Sequence, residues 1–536
     1  MGIRAVARGS LVDLVRDQAD RDASSVAVVD EGGVLTYGDL ERESSRLAHV
    51  LASRGLRPGD RVVLLLPRSA AAICAIFAVL KCRGVYVPLD TASPPARLRP
   101  RIAAAEPRFL IGDATTHRLL RQCWDGPSAV TVWLTDPPPD ALRPQDVVAA
   151  EVCAAPATPP ATEPAPTDLA YLLFTSGSTG TPKGVPITHQ SVLSLASWAR
   201  EHFGLTSMDR LSCHSALSFD FSVLDIYSAV TAGASLHMVP AHYNLVPDLL
   251  ARFIRESRLT QWSSVPSVLM AMANRGVVRD MPELRRLVWC GDVFPVDGLR
   301  HWMANLPHVR FTNLYGPTET TVASSYHDVG SMPAPGAGVP IGTALPGERL
   351  GVFDEHRRPV PAGVVGDLHI AGVGLSPGYW RSPAETAAVF GTVEGDDATR
   401  WYRTGDRANI DEQGLAHFHG RGDRQIKSRG YRVELDEITR VARGLPEFAD
   451  VAVVAVDSPE AAGREIGLAY VAAGDRPPDH ATVRSELART LPPYMLPTRW
   501  LAVDAIDTNS NGKIDYPALT RRFLDRADAA PPRTET

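Results

Sequence analysis

The stretch from Arg61 to Asp90, RVVLLLPRSAAAICAIFAVLKCRGVYVPLD, decides the fold. An apolar run ends at Pro67, an alanine-rich segment follows from Ala70 to Leu80, Gly84 breaks it, and the β-rich VYV comes next. A short apolar run bounded by turn residues reads as a buried strand, and the longer alanine-rich run reads as a buried helix. Strand, helix and strand in that order form a βαβ unit, which favours a parallel sheet with helices on both faces. The same alternation recurs at LAYLLF (169–174), ahead of a glycine loop, and at RRLVWCG (285–291). The expected class is α/β.

Working outward, 536 residues are too many for one ordinary core, so two or more units are expected. Between about Thr135 and Asp168 the composition shifts to proline and alanine (DPPPD, then AAPATPPATEPAPTD), which reads as a surface connector inside the large domain. After Gly420 a charged segment, GRGDRQIKSRG, leads into a smaller pattern. It reads helix (434–444), strand (450–456), strand (467–473) and helix (482–491). That pattern predicts a small α+β C-terminal domain over 423–524, behind a large N-terminal domain of layered α/β subdomains over 1–422. The tail, 525–536, is expected to be disordered, and no internal repeat is visible.

Composition excludes several functions. Hydrophobic residues at 44% and charged residues at 22% suit a globular protein, and a formal charge of −6 offers no basic field to nucleic acid or an acidic membrane. The six cysteines (Cys74, Cys82, Cys123, Cys153, Cys213, Cys290) show neither CxxC nor metal-type spacing, which fits a reducing cytoplasm. The opening MGIRAVARGSLVDLVRDQ is too charged for a signal peptide, and Ala70–Leu80 is too short to span a bilayer.

The loop in YLLFTSGSTGTPKG (171–184) follows a strand and is closed by a lysine. Thr175, Ser176, Ser178 and Thr179 supply hydroxyls, Gly177 and Gly180 let backbone N–H groups approach an anion, and Lys183 adds positive charge. A triphosphate needs donors without bulk, as here. The pattern is not the P-loop, which requires Gly-Lys-Ser/Thr together.

The residue order of this loop resembles the signature of the adenylate-forming superfamily: acyl-CoA synthetases, luciferases and the adenylation domains of nonribosomal peptide synthetases. The rest of that series follows from Leu35 to Asp515. It runs LTYGDL at Leu35, LKCRGVYVPLD at Leu80, the phosphate loop, FDFS at Phe219, NLYGPTE at Asn313 and GDLHIAGVGLSPGYW at Gly366. It continues with YRTGDR at Tyr402, GRGDRQIKSRGYRVELDEI at Gly420, LPPYMLP at Leu491 and NGKID at Asn511. The resemblance implies ATP and Mg2+ as cofactors. Tyr315 would stack on adenine, Asn313 would bond its exocyclic amine, Asp406 would accept the ribose hydroxyls with Arg421 in support, and Glu319 would hold Mg2+. Gly291, Asp292, Gly316 and Thr318 would complete the ATP site. Lys513 would stand between carboxylate and ribose oxygens and, with Lys183, stabilise charge during adenylate formation. The small domain is expected to be mobile and to swing about Asp423, bringing the segment with Gly430 to an incoming thiol.

Asp220 in FDFS would pair with the α-ammonium of an amino acid, because a buried ammonium without a counter-charge costs on the order of several kcal/mol. By motif alignment the pocket wall would be Phe221, Leu224, Ser267, Val288, Cys290, Leu314, Val322 and Ala323. No second charge stands among them, and three are bulky. A small neutral amino acid is expected: alanine first, proline second, then glycine or serine. FDFSVLDIY and QWSSVPSVLMAM look like prolyl-adenylating ligases, whereas VWCGDVFPV looks like D-alanine–carrier-protein ligases. Pro377 and Tyr516 depart from the usual arginines at their positions. No GGxS carrier motif follows the small domain, so the expected acceptor is the phosphopantetheine thiol of a separate carrier protein in natural-product biosynthesis. Neither nucleic acid nor membrane is an expected partner. The rival readings are an acyl-CoA ligase, opposed by Asp220; a silent adenylate-binding protein, opposed by Lys513, Glu319 and Asp406; and an amide-forming ligase.

Overall fold

The strand Arg61–Leu64, the helix Ala70–Lys81 and the strand Val85–Pro88 form the βαβ unit read from the sequence. The strands pair in parallel, Arg61 opposite Val85 and Leu64 opposite Pro88. Ser69 caps the helix by accepting from the Ala72 amide at 3.2 Å, and the side chains from Ile73 to Lys81 are buried, Cys74 only in part. This is a computed structural model that describes residues 9–124, 126, 129–160, 162–175, 182–244, 246–335, 338–428, 431–458, 463–474, 477–508 and 514–528.

The unit sits in a six-stranded sheet ordered Val130–Trp133, Phe109–Gly112, Arg61–Leu64, Val85–Pro88, Leu169–Thr175, Lys183–Thr188. Its neighbours run parallel except the last pair. A nine-stranded sheet holds a parallel centre from Arg310–Tyr315 through Arg286–Cys290, Gln261–Ser264, Arg210–Cys213 and Ser235–Met238 to Val26–Asp30. Helix Phe221–Ala232 packs on it and is buried along almost its whole length, Ser222, Asp225 and Ser228 included. A third, antiparallel sheet comprises Glu348–Phe353, Gly366–Gly372, Asp396–Ile410, Phe390–Val393 and Ala416–Arg421.

The chain divides into two compact units that meet in sequence at Gly422 and Asp423, the second also taking in Ala92–Pro100. The second unit holds the antiparallel pair Gln425–Ser428 and Tyr431–Glu434, the helix Leu435–Arg443 and a sheet of Phe448–Ser458, Gly463–Ala472 and Arg499–Ala502. Helices His480–Ala488 and Tyr516–Asp528 complete it. The helices Leu435–Arg443 and His480–Ala488 and the strands Phe448–Ser458 and Gly463–Ala472 fall within a few residues of the expected ones. The antiparallel pair, the strand Arg499–Ala502 and the last helix lie outside that expectation. That last helix runs to Asp528, into the tail expected to be disordered, and 529–536 lie outside the described residues.

The proline-rich connector differs from its expectation. Helix Ala149–Ala154 interrupts it, and Val147 is fully buried and accepts from the Trp133 amide at 2.9 Å. The reason is local: prolines cluster before and after Val147–Ala154 but not within it. The six cysteines are free thiols, and among the described residues no helix is long and apolar enough to cross a membrane.

Candidate active site

Three strands of the first unit converge on a polar cluster. Strand Arg310–Tyr315 carries Asn313 and Tyr315 two residues apart, on one face. Asp406 on Asp396–Ile410 is the register partner of Arg421 on Ala416–Arg421. Arg421 Nη1 donates to Asp406 Oδ1 at 2.5 Å, and the Tyr315 hydroxyl donates to Asp406 Oδ2 at 2.5 Å. The Asp406 amide donates to Thr404 Oγ1 at 3.0 Å, and that hydroxyl donates to the Leu368 carbonyl at 2.8 Å, fixing the carboxylate from behind. Burial, and then the Asp406 carboxylate, hold the Tyr315 phenol well above its ordinary pKa. Asn313 Nδ2 donates to the Pro340 carbonyl at 2.8 Å, which orients the amide with its Oδ1 acceptor on the other side.

The chain then turns sharply. A Cβ at Gly316 would stand 2.7 Å from the Val322 carbonyl oxygen and 2.8 Å from Ala323 Cα, so only glycine fits there. The turn Thr318–Thr320 places Glu319 in full burial, where the Tyr379 hydroxyl donates to its Oε1 at 2.8 Å. The Lys183 ammonium lies 5.1 Å from the centre of the Tyr379 ring and 3.3 Å from Glu385. Thr175 stands opposite Lys183 in the sheet register. Ser176, Gly177, Ser178, Thr179 and Gly180 lie outside the described residues, as do Gly430 and Lys513. Gly291 takes φ +98° directly after strand Arg286–Cys290, and Asp292 accepts from the Val293 amide at 2.8 Å.

Asp220 stands at the N-cap of helix Phe221–Ala232, almost fully buried, where the positive end of the helix favours a carboxylate. Burial, Tyr86 and then Asp220 hold the Tyr171 phenol well above its ordinary value. One turn of this helix presents Phe221 and Leu224. Val288 and Cys290 share a face of their strand, and Cys290 is the register partner of Leu314. Phe221, Leu224, Val288, Cys290, Leu314, Val322 and Ala323 all belong to one apolar cluster, and Cys290 Sγ donates to the Val322 carbonyl at 3.8 Å. Ser267, half-buried near the start of helix Pro266–Asn274, is not in that cluster. Thr321 and Val322 take φ +60° and +68°, a left-handed conformation that β-branched residues rarely adopt. Asp423 opens the second unit, its Oδ1 accepting from the Gln425 amide at 3.2 Å.

Sequence reasoning assigned no role to Tyr379, Thr404, Thr321 or Glu348. Tyr379 could have been found, since it lies in the GLSPGYW motif. Thr404 likewise lies in YRTGDR, whereas Thr321 and Glu348 carry no local signal.

The family model described as AMP-binding enzyme matches residues 15–380, and that of the AMP-binding enzyme C-terminal domain matches 437–513. The chain is 35% identical over 548 residues to an L-proline–[L-prolyl-carrier protein] ligase of Streptomyces coelicolor, covering 99% of this chain and 98% of that protein. It is 35% identical over 508 residues to part of a linear gramicidin synthase of Brevibacillus parabrevis, covering 94% of this chain but only 6% of that synthase. Among solved structures, the Vibrio cholerae adenylation domain AlmE, in complex with glycyl-adenosine-5'-phosphate, superposes with a TM-score of 0.83 at 26% identity. It covers 98% of this chain and 99% of that one. With both family models matched in order on one chain, this protein belongs to the AMP-binding enzymes, the adenylate-forming superfamily that includes the adenylation domains of nonribosomal peptide synthetases.

Proposed function

We propose that this enzyme joins a small neutral α-amino acid to ATP, forming an aminoacyl-adenylate and pyrophosphate. It then passes the aminoacyl group to the phosphopantetheine thiol of a separate carrier protein. The observation that carries the reading is Asp220. It is a buried carboxylate at the head of a helix whose first turn also supplies Phe221 and Leu224 to an apolar cluster. A ligand ammonium is the natural charge to bring to such a carboxylate, and a plain carboxylic acid brings none, which counts against an acyl-CoA ligase.

The roles divide by chemistry. Asp406, held by Tyr315 and Arg421, keeps further carboxylate lone pairs for ribose hydroxyls, and Asn313 Oδ1 suits the adenine amine. Buried Glu319 is an oxygen donor of the kind Mg2+ takes, and that cation would neutralise charge on the departing pyrophosphate. Lys183 and the hydroxyls beside it would take the phosphates, and Lys513 the oxygens at the reacting centre. Phe221, Leu224 and Leu314 restrict the pocket, and we rank alanine first, then proline, then glycine or serine. The similarity to a prolyl-carrier-protein ligase and to a domain crystallised with a glycyl adenylate supports both a small substrate and a carrier acceptor.

The test is amino-acid-dependent pyrophosphate release, with hydroxylamine to trap the adenylate, across the common amino acids and several aryl and fatty acids. Turnover confined to small amino acids supports the reading. Turnover only with acids lacking an α-amine sinks it. Loading of a phosphopantetheinylated carrier protein, read by mass, tests the second half.

A further inference from the structure

Glu348 opens strand Glu348–Phe353 and points its carboxyl at bare backbone. Its Oε1 accepts from the Gly374 amide at 2.7 Å, while its Oε2 is buried and has no hydrogen-bond partner among the described residues. A Cβ on Gly372 would lie 2.6 Å from Oε2, and one on Gly374 would lie 2.9 Å from Oε1, so the carboxyl fills space that side chains would otherwise take. The loop it touches is tied to both ends of the candidate site. The Gly374 carbonyl accepts from Thr321 Oγ1 at 2.6 Å, and the Ser376 amide donates to the Glu319 carbonyl at 2.9 Å. Ser191 Oγ fixes the same loop from the far side, donating to the Val373 carbonyl at 2.8 Å.

The Thr321 contact matters because of the backbone it restrains. Two successive β-branched residues in the left-handed region are strained, and such a pair persists only where its surroundings hold it. Thr321 Oγ1 on Gly374 is such a restraint, and the next residues, Val322 and Ala323, are in the apolar wall assigned to the substrate. We infer that Glu348 is a positioning residue for the amino-acid pocket, acting through Gly374 on the left-handed pair Thr321–Val322. The inference rests on the proposed amino-acid activation. Glu348 touches neither nucleotide nor substrate in this scheme, and its own hydrogen bond is to Gly374, whose carbonyl holds Thr321 of the wall.

Burial pushes the Glu348 carboxyl up to about 8, so at neutral pH it is protonated and uncharged, as a dry site requires. No charged side chain among the described residues offsets a carboxylate there; the adjacent Arg349 pairs instead with Asp396 at 3.0 Å. Ionisation above about 8 therefore puts an unpaired charge behind Gly374 and loosens the clamp.

The experiment compares wild type, Glu348→Gln and Glu348→Ala by amino-acid-dependent ATP–pyrophosphate exchange, varying amino acid and ATP separately. The alanine variant should raise the amino-acid KM about tenfold, the scale of one lost hydrogen bond and its packing, with the ATP KM within about twofold. The glutamine variant, which keeps the neutral shape, should stay within about twofold of wild type. From about pH 7 to about pH 9 the wild-type amino-acid KM should rise and that of the glutamine variant should stay flat. A folded alanine variant with an unchanged amino-acid KM overturns the inference, as does a glutamine variant as impaired as alanine. If alanine fails to fold, the wild-type and glutamine pH profiles decide it alone, and parallel profiles overturn it. Wild type inactive with every amino acid removes the proposed function and this inference together; that outcome shows in the wild type, not in a variant.

Discussion

The ends of the candidate site proposed for the nucleotide and for the amino acid are held by different means. At the first, side chains from three strands meet in charged and phenolic hydrogen bonds, Tyr315 and Arg421 on the two oxygens of Asp406. At the second, apart from Asp220 and Ser267, the wall is apolar and its shape comes from backbone: a glycine that admits no Cβ at 316 and a left-handed pair at Thr321 and Val322. A polar network is binary, since removing one member strips the others of a buried hydrogen bond. An apolar wall is graded, because a changed methyl or thiol alters volume and little else. Binding of ATP should therefore fail abruptly under mutation, and amino-acid preference should drift.

The largest effect should come from Lys513→Ala, the lysine proposed for the reacting centre. The rate of adenylate formation should fall about a hundredfold or more, the usual scale for a preorganised donor, while ATP and amino-acid binding persist. Calorimetric binding beside pyrophosphate release checks it, and lost binding would tie the lysine to one end and break the division. Next, Asp406→Ala removes a buried carboxylate and deprives the half-buried Arg421 guanidinium of it, with a cost of about 3 kcal/mol. ATP binding should weaken by about a hundredfold or more and thermal unfolding should come earlier. Unchanged ATP affinity would show that the polar cluster is scaffold and not site. Tyr315→Phe is milder. It removes one hydrogen bond to the carboxylate and keeps the ring, so the ATP KM should rise about fivefold to tenfold with the amino-acid KM unmoved. A phenylalanine variant shifted in both would mean that the two ends are coupled through the strand Arg310–Tyr315 that carries Asn313, Leu314 and Tyr315.

The same contrast explains what could be read in the sequence. The residues proposed for the nucleotide could be named because they lie in short motifs that carry the family resemblance, Tyr315 in NLYGPTE, Asp406 in YRTGDR and Arg421 in GRGDRQIKSRG, and the fold brings the three together. The α/β class was legible because buried parallel strands read as apolar runs, as in RVVLLL and VYV. The devices that shape the other end were not. Nothing in the string TTVAS announces left-handed backbone, since threonine and valine avoid it unless tertiary contacts impose it. Glu348 looks like any acid at the start of a strand, and only the fold reveals that Gly374 packs its bare backbone on that carboxyl. The helix at Ala149–Ala154 was masked by the prolines around it. Local composition speaks for a whole window, whereas the chain resolved it residue by residue.

Cys290→Ala should have the smallest effect, and it tests the graded end directly. The thiol is buried in the apolar cluster, is a weak donor, and reaches the Val322 carbonyl only at 3.8 Å, so its loss removes volume more than bonding. Removing one sulfur from a packed wall should cost about 1 kcal/mol of stability and enlarge the space beside Leu314 and Val322. Preference should shift by about tenfold or less towards the next larger neutral amino acid, the range that methylene-sized differences allow, and the ATP KM should not move. Exchange assays with alanine, proline and valine read the shift. A change in the ATP KM would mean that Cys290, through Val322 and the Gly316 turn packed on it, also sets the position of Tyr315, and the separation of a binary end from a graded one would then fail at the residue where the two come closest in sequence.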